Sequence, residues 1–264
     1  KLSETELADV TATLVDLAHD AKQPATVINA LHTLDALGKL TPEMITALFS
    51  HTDSGIRRQA LQLAETRISS QPKMLEAALK MADDSAPIVR LQLALTLGAS
   101  RDSKVLPSLV QLARQQGDDP WMTTAILSAL DARGGEFLAE LLRTPADLKA
   151  ARGLLEPLCF AIAARRNEQE LSDAIRLVAT IEDRAIQVAC LGGMRTSFGI
   201  AVAIRLSDDA RIGLKSLTGS DDAGVRSIAQ LLVRMMMLES PTEREARLDQ
   251  AKMQLADVSL NTDT

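Results

Sequence analysis

The chain is predicted to be all-α: an α-α superhelix of about seven antiparallel helix pairs, closed by a terminal helix. Three observations carry that prediction. Apolar residues make up 46% of the 264, but only 2% are aromatic and Tyr is absent, so the core must be Leu, Ala, Ile, Val and Met. The unbranched members of that set lose little side-chain freedom in a helix. A string also recurs: HTDSGIRRQALQLAE from His51 is echoed by DDSAPIVRLQLALTLG from Asp83, then by DDPWMTTAILSAL and by the residues around Arg226. Finally, PEMITALF, PKMLEAALKMA and KVLPSLVQLARQQ lie between the recurring strings, with apolar residues three and four apart.

Arg57 and Arg90 are 33 residues apart, and 32 more reach Met122, which aligns Trp121 with Ile56 and Val89. A period in the range of about 20–50 residues made of helical segments marks stacked units that bury a shared core. Taken in order, helix pairs are expected at 3–19 and 24–37, 41–49 and 54–67, 71–81 and 86–98, and 102–115 and 119–130. The series continues at 134–143 and 147–165, 168–180 and 184–195, and 207–217 and 221–238, with a last helix at 242–258. Asp53 and Asp222 stand four residues before Arg57 and Arg226, where a carboxylate caps free backbone N–H groups. Pro87 and Pro120 suit first helical positions, where the missing N–H is no loss. Asp83-Asp84 and Asp118-Asp119 read as capping residues. GGMRTSFG from Gly192 reads as a loop between repeats. The whole span 1–264 is expected to be one solenoid domain, a fragment of a longer multidomain chain.

The Asp/Pro–Val–Arg spacing resembles the HEAT repeat, which makes the expected fold a HEAT/armadillo-type solenoid. ALHTLDALGKLTPEMITALFSHTDSGIRRQALQLAE, VRLQLALTLGAS, LARQQGDDPWMTTAILSAL and LCFAIAARRNEQELSDAIRLV also resemble, in order, strings of one bacterial group. That group is the HEAT-repeat middle region of large haem-binding cytochrome proteins of planctomycetes and their relatives. Such proteins resemble a fusion of a sugar-dehydrogenase-like propeller, a HEAT array and a cytochrome c module. The resemblance implies flanking domains and a periplasmic setting. No C-x-x-C-H occurs here, so the haem site of that family is not expected in this chain.

Composition and motifs argue against most chemistry. With 29 basic against 35 acidic residues, the chain has no general attraction to nucleic acid. Its apolar runs fall short of the roughly 20 residues that span a bilayer. No G-x-S-x-G, G-x-x-x-x-G-K-[ST] or G-x-G-x-x-G string is present. His19, His32 and His51 form no i, i+3 or i, i+4 pair, so neither a metal nor another cofactor is expected. Cys159 and Cys190 fall on second helices of adjacent repeats and are expected to be free and buried. Helix axes about 8–10 Å apart are wide for a disulfide, whose Cα atoms lie about 4.4–6.8 Å apart. Of Met235, Met236 and Met237, two should be core and one partly exposed. Trp121 is expected to be packed.

Asp53, Arg57, Arg90, Asp222 and Arg226 are read as a structural ladder, with Arg57 and Arg226 within reach of a carboxylate of their own or the next repeat. Counting one and four further positions along each second helix gives a candidate concave partner surface. It comprises Arg58 and Gln62, Leu91 and Leu95, Thr123 and Leu127, and Ser227 and Leu231. The expected function is a non-catalytic scaffold for protein or interdomain contacts, linking propeller and cytochrome in the parent protein. A free-standing adaptor gripping a peptide in its groove is the alternative. A HEAT-like DNA glycosylase or bilin lyase is more remote, since basic rows and aromatic platforms are missing. The partners are expected to be protein, with no nucleic acid and no membrane insertion.

Overall fold

The structure is a computed structural model that describes residues 3–20, 22–144, 148–199 and 204–238, together with 248, 249, 252 and 253. Among the described residues it contains fourteen α-helices and no strand, as the sequence predicts. The expected last helix at 242–258 lies outside the described residues except at those four positions. The chain divides into two compact units, Lys1–Leu154 and Leu155–Thr264.

The first unit holds α1 (Glu4–Asp20), α2 (Pro24–Ala36), α3 (Pro42–Ala47), α4 (Ser54–Ala64), α5 (Pro72–Leu79), α6 (Pro87–Leu97), α7 (Val105–Gln116), α8 (Pro120–Leu130) and α9 (Gly134–Leu142). Successive second helices stack, α2 on α4, α4 on α6 and α6 on α8, while α3 meets α5 and α7 meets α9 in the other layer. Between the layers lie Leu34, Ile45, Leu61, Ala78, Leu93, Leu109 and Phe137, all fully buried. The second unit holds most of α10 (Arg152–Ala164), then α11 (Glu168–Ala179), α12 (Arg184–Phe198), α13 (Asp208–Leu217) and α14 (Ala223–Met235). There α11 stacks on α13 and α12 on α14.

Local chemistry explains where the helices begin. Pro24, Pro42, Pro72, Pro87 and Pro120 occupy first-turn positions. Among the described residues, side chains cap eight of the helices: Ser3, Thr41, Asp53, Asp119, Asn167, Asp183, Ser207 and Asp222 each accept a first-turn backbone N–H. These caps set a register that differs from the arginine alignment. Asp53 accepts from Ile56 N at 3.0 Å and Asp119 from Met122 N at 2.9 Å. Met122 is therefore the counterpart of Ile56 and Val89, and all three are buried. Trp121 falls one position earlier, beside Gly55 and Ile88 in register, and is 74% exposed instead of packed. The step from Arg90 is again 33 residues, and it reaches Thr123.

A second expectation is corrected at GGMRTSFG. Gly192 and Gly193 lie inside α12, and the chain breaks only at Gly199, where φ is +58°. A Cβ on Gly193 would sit 2.1 Å from the Glu156 carbonyl oxygen and 2.9 Å from the Phe160 nitrogen. Glycine is required there because the α12 backbone lies against α10, a packing demand that looks like a loop signal in sequence.

Candidate interaction surface

The ladder positions fall at the mouths of the turns that precede the second helices. The Arg57 guanidinium forks onto the Asp84 carboxylate, with Nε–Oδ2 at 2.6 Å and Nη2–Oδ1 at 2.7 Å. Its Nη1 also donates to the carbonyls of His51 and Thr52 at 2.8 and 3.0 Å. Both side chains are nearly enclosed, 12% and 8% exposed, so the pair is short, two-pronged and poorly screened. Arg57 holds the Asp84 carboxyl below the usual carboxylate range, and Asp84 in turn raises the Arg57 guanidinium. Asp84, read as a cap from sequence, instead joins one repeat to the previous one; Ala86 occupies the cap position of α6. The clue lay in spacing, because Asp53 and Asp119 stand directly before their helices and Asp84 does not.

Arg90 repeats part of this pattern. It donates to the Asp84 carbonyl, while its Nε reaches the Gln116 side-chain oxygen at 2.9 Å. Thr123 occupies the same slot and donates from Oγ1 to the Gly117 carbonyl at 2.7 Å. Arg226 donates to the Ser220 and Asp221 carbonyls at 2.5 and 3.3 Å. Arg57, Arg90, Thr123 and Arg226 thus all bind the carbonyl six residues earlier, tying each turn to its own second helix. Asp53 and Asp222 serve as N-caps, accepting from Ile56 N and Val225 N. Another link that sequence reading missed joins Arg67 to Asp35, 32 residues away.

Most of the positions expected to form a partner surface are exposed on the second helices. Arg58, Gln62, Leu95, Ser227 and Leu231 are exposed, and Leu91 is half-buried. Thr123 and Leu127 are half-buried, because the register of α8 presents Thr124 and Ser128 in their place; both are exposed. Within the first unit the face therefore runs from Arg58 and Gln62 through Leu91 and Leu95 to Thr124 and Ser128. At its edge, Pro87, Ile88, Leu91, Gln116, Asp119, Trp121 and Met122 line an open groove of about 250 Å³.

Residues 41–131 match the family model for HEAT repeats. That segment contains α3 to α8, and so covers every Arg-to-turn link of the first unit described above except the one to Asp35. No curated protein matches the chain. Among solved structures, one engineered protein shares 19% identity over 87% of this chain and 96% of its own, with a TM-score of 0.35. A designed armadillo repeat protein shares 14% over 89% and 95%, with a TM-score of 0.33. A second engineered protein shares 16% over 88% and 70%, with a TM-score of 0.34. The match at 41–131 and the stacked helix pairs give that segment a HEAT-type helical-repeat fold, and the rest of the described residues are likewise arranged as helices.

The remaining candidates have structural surroundings. His51 Nδ1 accepts from Asp53 N at 3.0 Å, and His32 meets the Gln59 amide at 2.7 Å. Among the described residues no group of three or more His, Cys, Asp or Glu could hold a metal ion. Nor is any described helix long and apolar enough to cross a membrane. Met236 is buried, Met235 half-buried and Met237 exposed. Cys159 and Cys190 are free and fully buried, as expected.

Proposed function

We propose that the chain is a non-catalytic scaffold that holds protein partners or flanking domains against the exposed face of its second helices. The carrying observation is that face itself. Leu91 and Leu95 sit at its centre between polar neighbours, with Ile88 (45% exposed) and Trp121 beside them. An apolar centre with a polar surround is how protein interfaces are usually composed. The HEAT repeats favour the same reading, since such arrays generally hold other proteins and carry no reactive centre. The ladder of Asp53, Arg57, Arg90, Asp222 and Arg226 is assigned a structural role, because the bonds of its arginines go to turn carbonyls and to neighbouring repeats. We further propose that the whole of 1–264 works as one array. In the parent protein it would link a dehydrogenase-like propeller to a cytochrome c module; the resemblance of the ordered loop strings supports that reading.

The test is capture of the neighbouring domains by wild type and by a Leu91→Glu, Leu95→Glu double variant of unchanged helix content. Burying two carboxylates in an apolar contact should reduce capture at least tenfold. Equal capture would remove this face from the proposal. A second reading, an adaptor that grips a single peptide, is favoured by the groove beside Trp121. It is distinguished by Trp121→Ala, which should abolish peptide binding while leaving domain capture largely intact.

A further inference from the structure

Within the second unit, α12 approaches α10 more closely than side-chain-separated helices allow. The Gly193 Cα has almost no room between it and the Glu156 carbonyl, since a Cβ there would stand 2.1 Å from that oxygen. Cys190 lies one turn before Gly193 on the same face of α12, and Cys159 lies between the two α10 residues that Gly193 touches, Glu156 and Phe160. These positions make the two cysteines neighbours across the α10–α12 contact, and neither residue has any exposed surface. The usual spacing of about 8–10 Å between helix axes, which argues against a disulfide here, does not apply where glycine removes the intervening side chain.

We propose that Cys159 and Cys190 form a reversible disulfide latch between α10 and α12 when the protein meets a peroxide. One thiol loses its proton and attacks the peroxide O–O bond, becoming a sulfenic acid as the first water leaves. The second thiol attacks that sulfur, the S–S bond forms and the second water leaves. Two thiol hydrogens and two electrons pass to one hydrogen peroxide, which becomes two waters. A dithiol reductant reverses the reaction by exchange. The neighbouring Cys190 thiol, together with burial, raises the Cys159 thiol well above its ordinary range, so the latch closes more slowly than an exposed cysteine oxidises. Once closed, it bridges a 31-residue separation and constrains the unfolded chain.

The experiment uses the full chain, reduced, exposed to hydrogen peroxide under native conditions, then unfolded in the presence of an alkylating reagent and weighed intact. The expected product is a monomer two hydrogens lighter that carries no alkyl group, returns to two alkylated thiols after dithiothreitol, and melts several degrees higher while oxidised. Proteolytic mapping should place the Cys159 and Cys190 peptides in one linked species. The single variants Cys159→Ser and Cys190→Ser should form no intramolecular bond under the same treatment. Two alkylated thiols in wild type, after exposure many times longer than a free cysteine standard needs for complete conversion, would overturn the latch. So would separate sulfinic acids or a disulfide-linked dimer.

Discussion

Replacing Arg57 by Ala tests the energetics of the repeat junction most directly. The substitution removes two charge-assisted bonds to Asp84 and two bonds to turn carbonyls. It leaves the Asp84 carboxylate, 8% exposed, with the Ala86 N–H at 2.9 Å as its remaining described bond. Sequence alone suggests a partly exposed pair, which costs on the order of 1 kcal/mol to break. The enclosure seen here places it nearer to a buried pair, where removing one partner costs roughly 3–5 kcal/mol. Because 12% of the arginine still meets water, about 3 kcal/mol is the expected loss. Urea unfolding followed by circular dichroism measures it, with an expected fall in the thermal midpoint of roughly 6–12 °C. Lys104→Ala is the control: Lys104 and Glu76 are 56% and 57% exposed, and the change should stay within about 0.5 kcal/mol. A loss for Arg57→Ala no larger than that of the control would refute the enclosed-pair reasoning. So would a double-mutant cycle with Asp84→Asn that shows no coupling.

Other outcomes follow from the same geometry. Gly193→Ala should destabilise by about 3 kcal/mol or more, because α10 and α12 must separate. Gly192→Ala, where a Cβ would meet nothing within 4 Å, should stabilise by about 0.5–1 kcal/mol through helix propensity. Equal effects in unfolding titrations would disprove the close approach. Since Asp84 is depressed in the folded state, its contribution is present above its unfolded pKa of about 3.8 and is lost as pH falls through the lower folded value. The stability gap between wild type and Arg57→Ala should therefore narrow as pH falls below about 4, down to the part owed to the two carbonyl bonds, and a gap that does not narrow in strong acid would contradict the assignment. Trp121, the single tryptophan, should be readily quenched by acrylamide and emit near the wavelength of a solvated indole. Blue-shifted, protected emission would place it back in the core.

The helix pairs were legible because period, proline placement and capping residues all point the same way, and each is local. What proved harder was anything decided by a neighbour in space. Arg57 advertises a charged partner, but the choice of Asp84 over Asp53 depends on how one repeat rests on the next. Gly192-Gly193 carries the composition of a loop, yet Gly193 is dictated by the Glu156 carbonyl. Trp121 was misplaced by one residue because aligning on Arg forced Met122 into a slot that Thr123 fills. The Asp caps held the correct register throughout, since the position of a cap is fixed by hydrogen bonds within its own turn. Of the proposed partner face, the exposure of Arg58 and Gln62 on α4 and of Leu95 on α6 followed from spacing alone, and α8 required the shift.

The arginine links bear on how the first unit responds to load. The connection from α4 to the turn before α6 is a two-pronged ionic fork, whereas the one from α6 toward the end of α7 is a single bond to a neutral amide. Stretched along its length, such a chain gives way first at its weakest rivet. Pulling on the first unit should therefore part α6 from the α7–α8 pair while α4 and α6 still hold together, so that the segment extends in ordered steps.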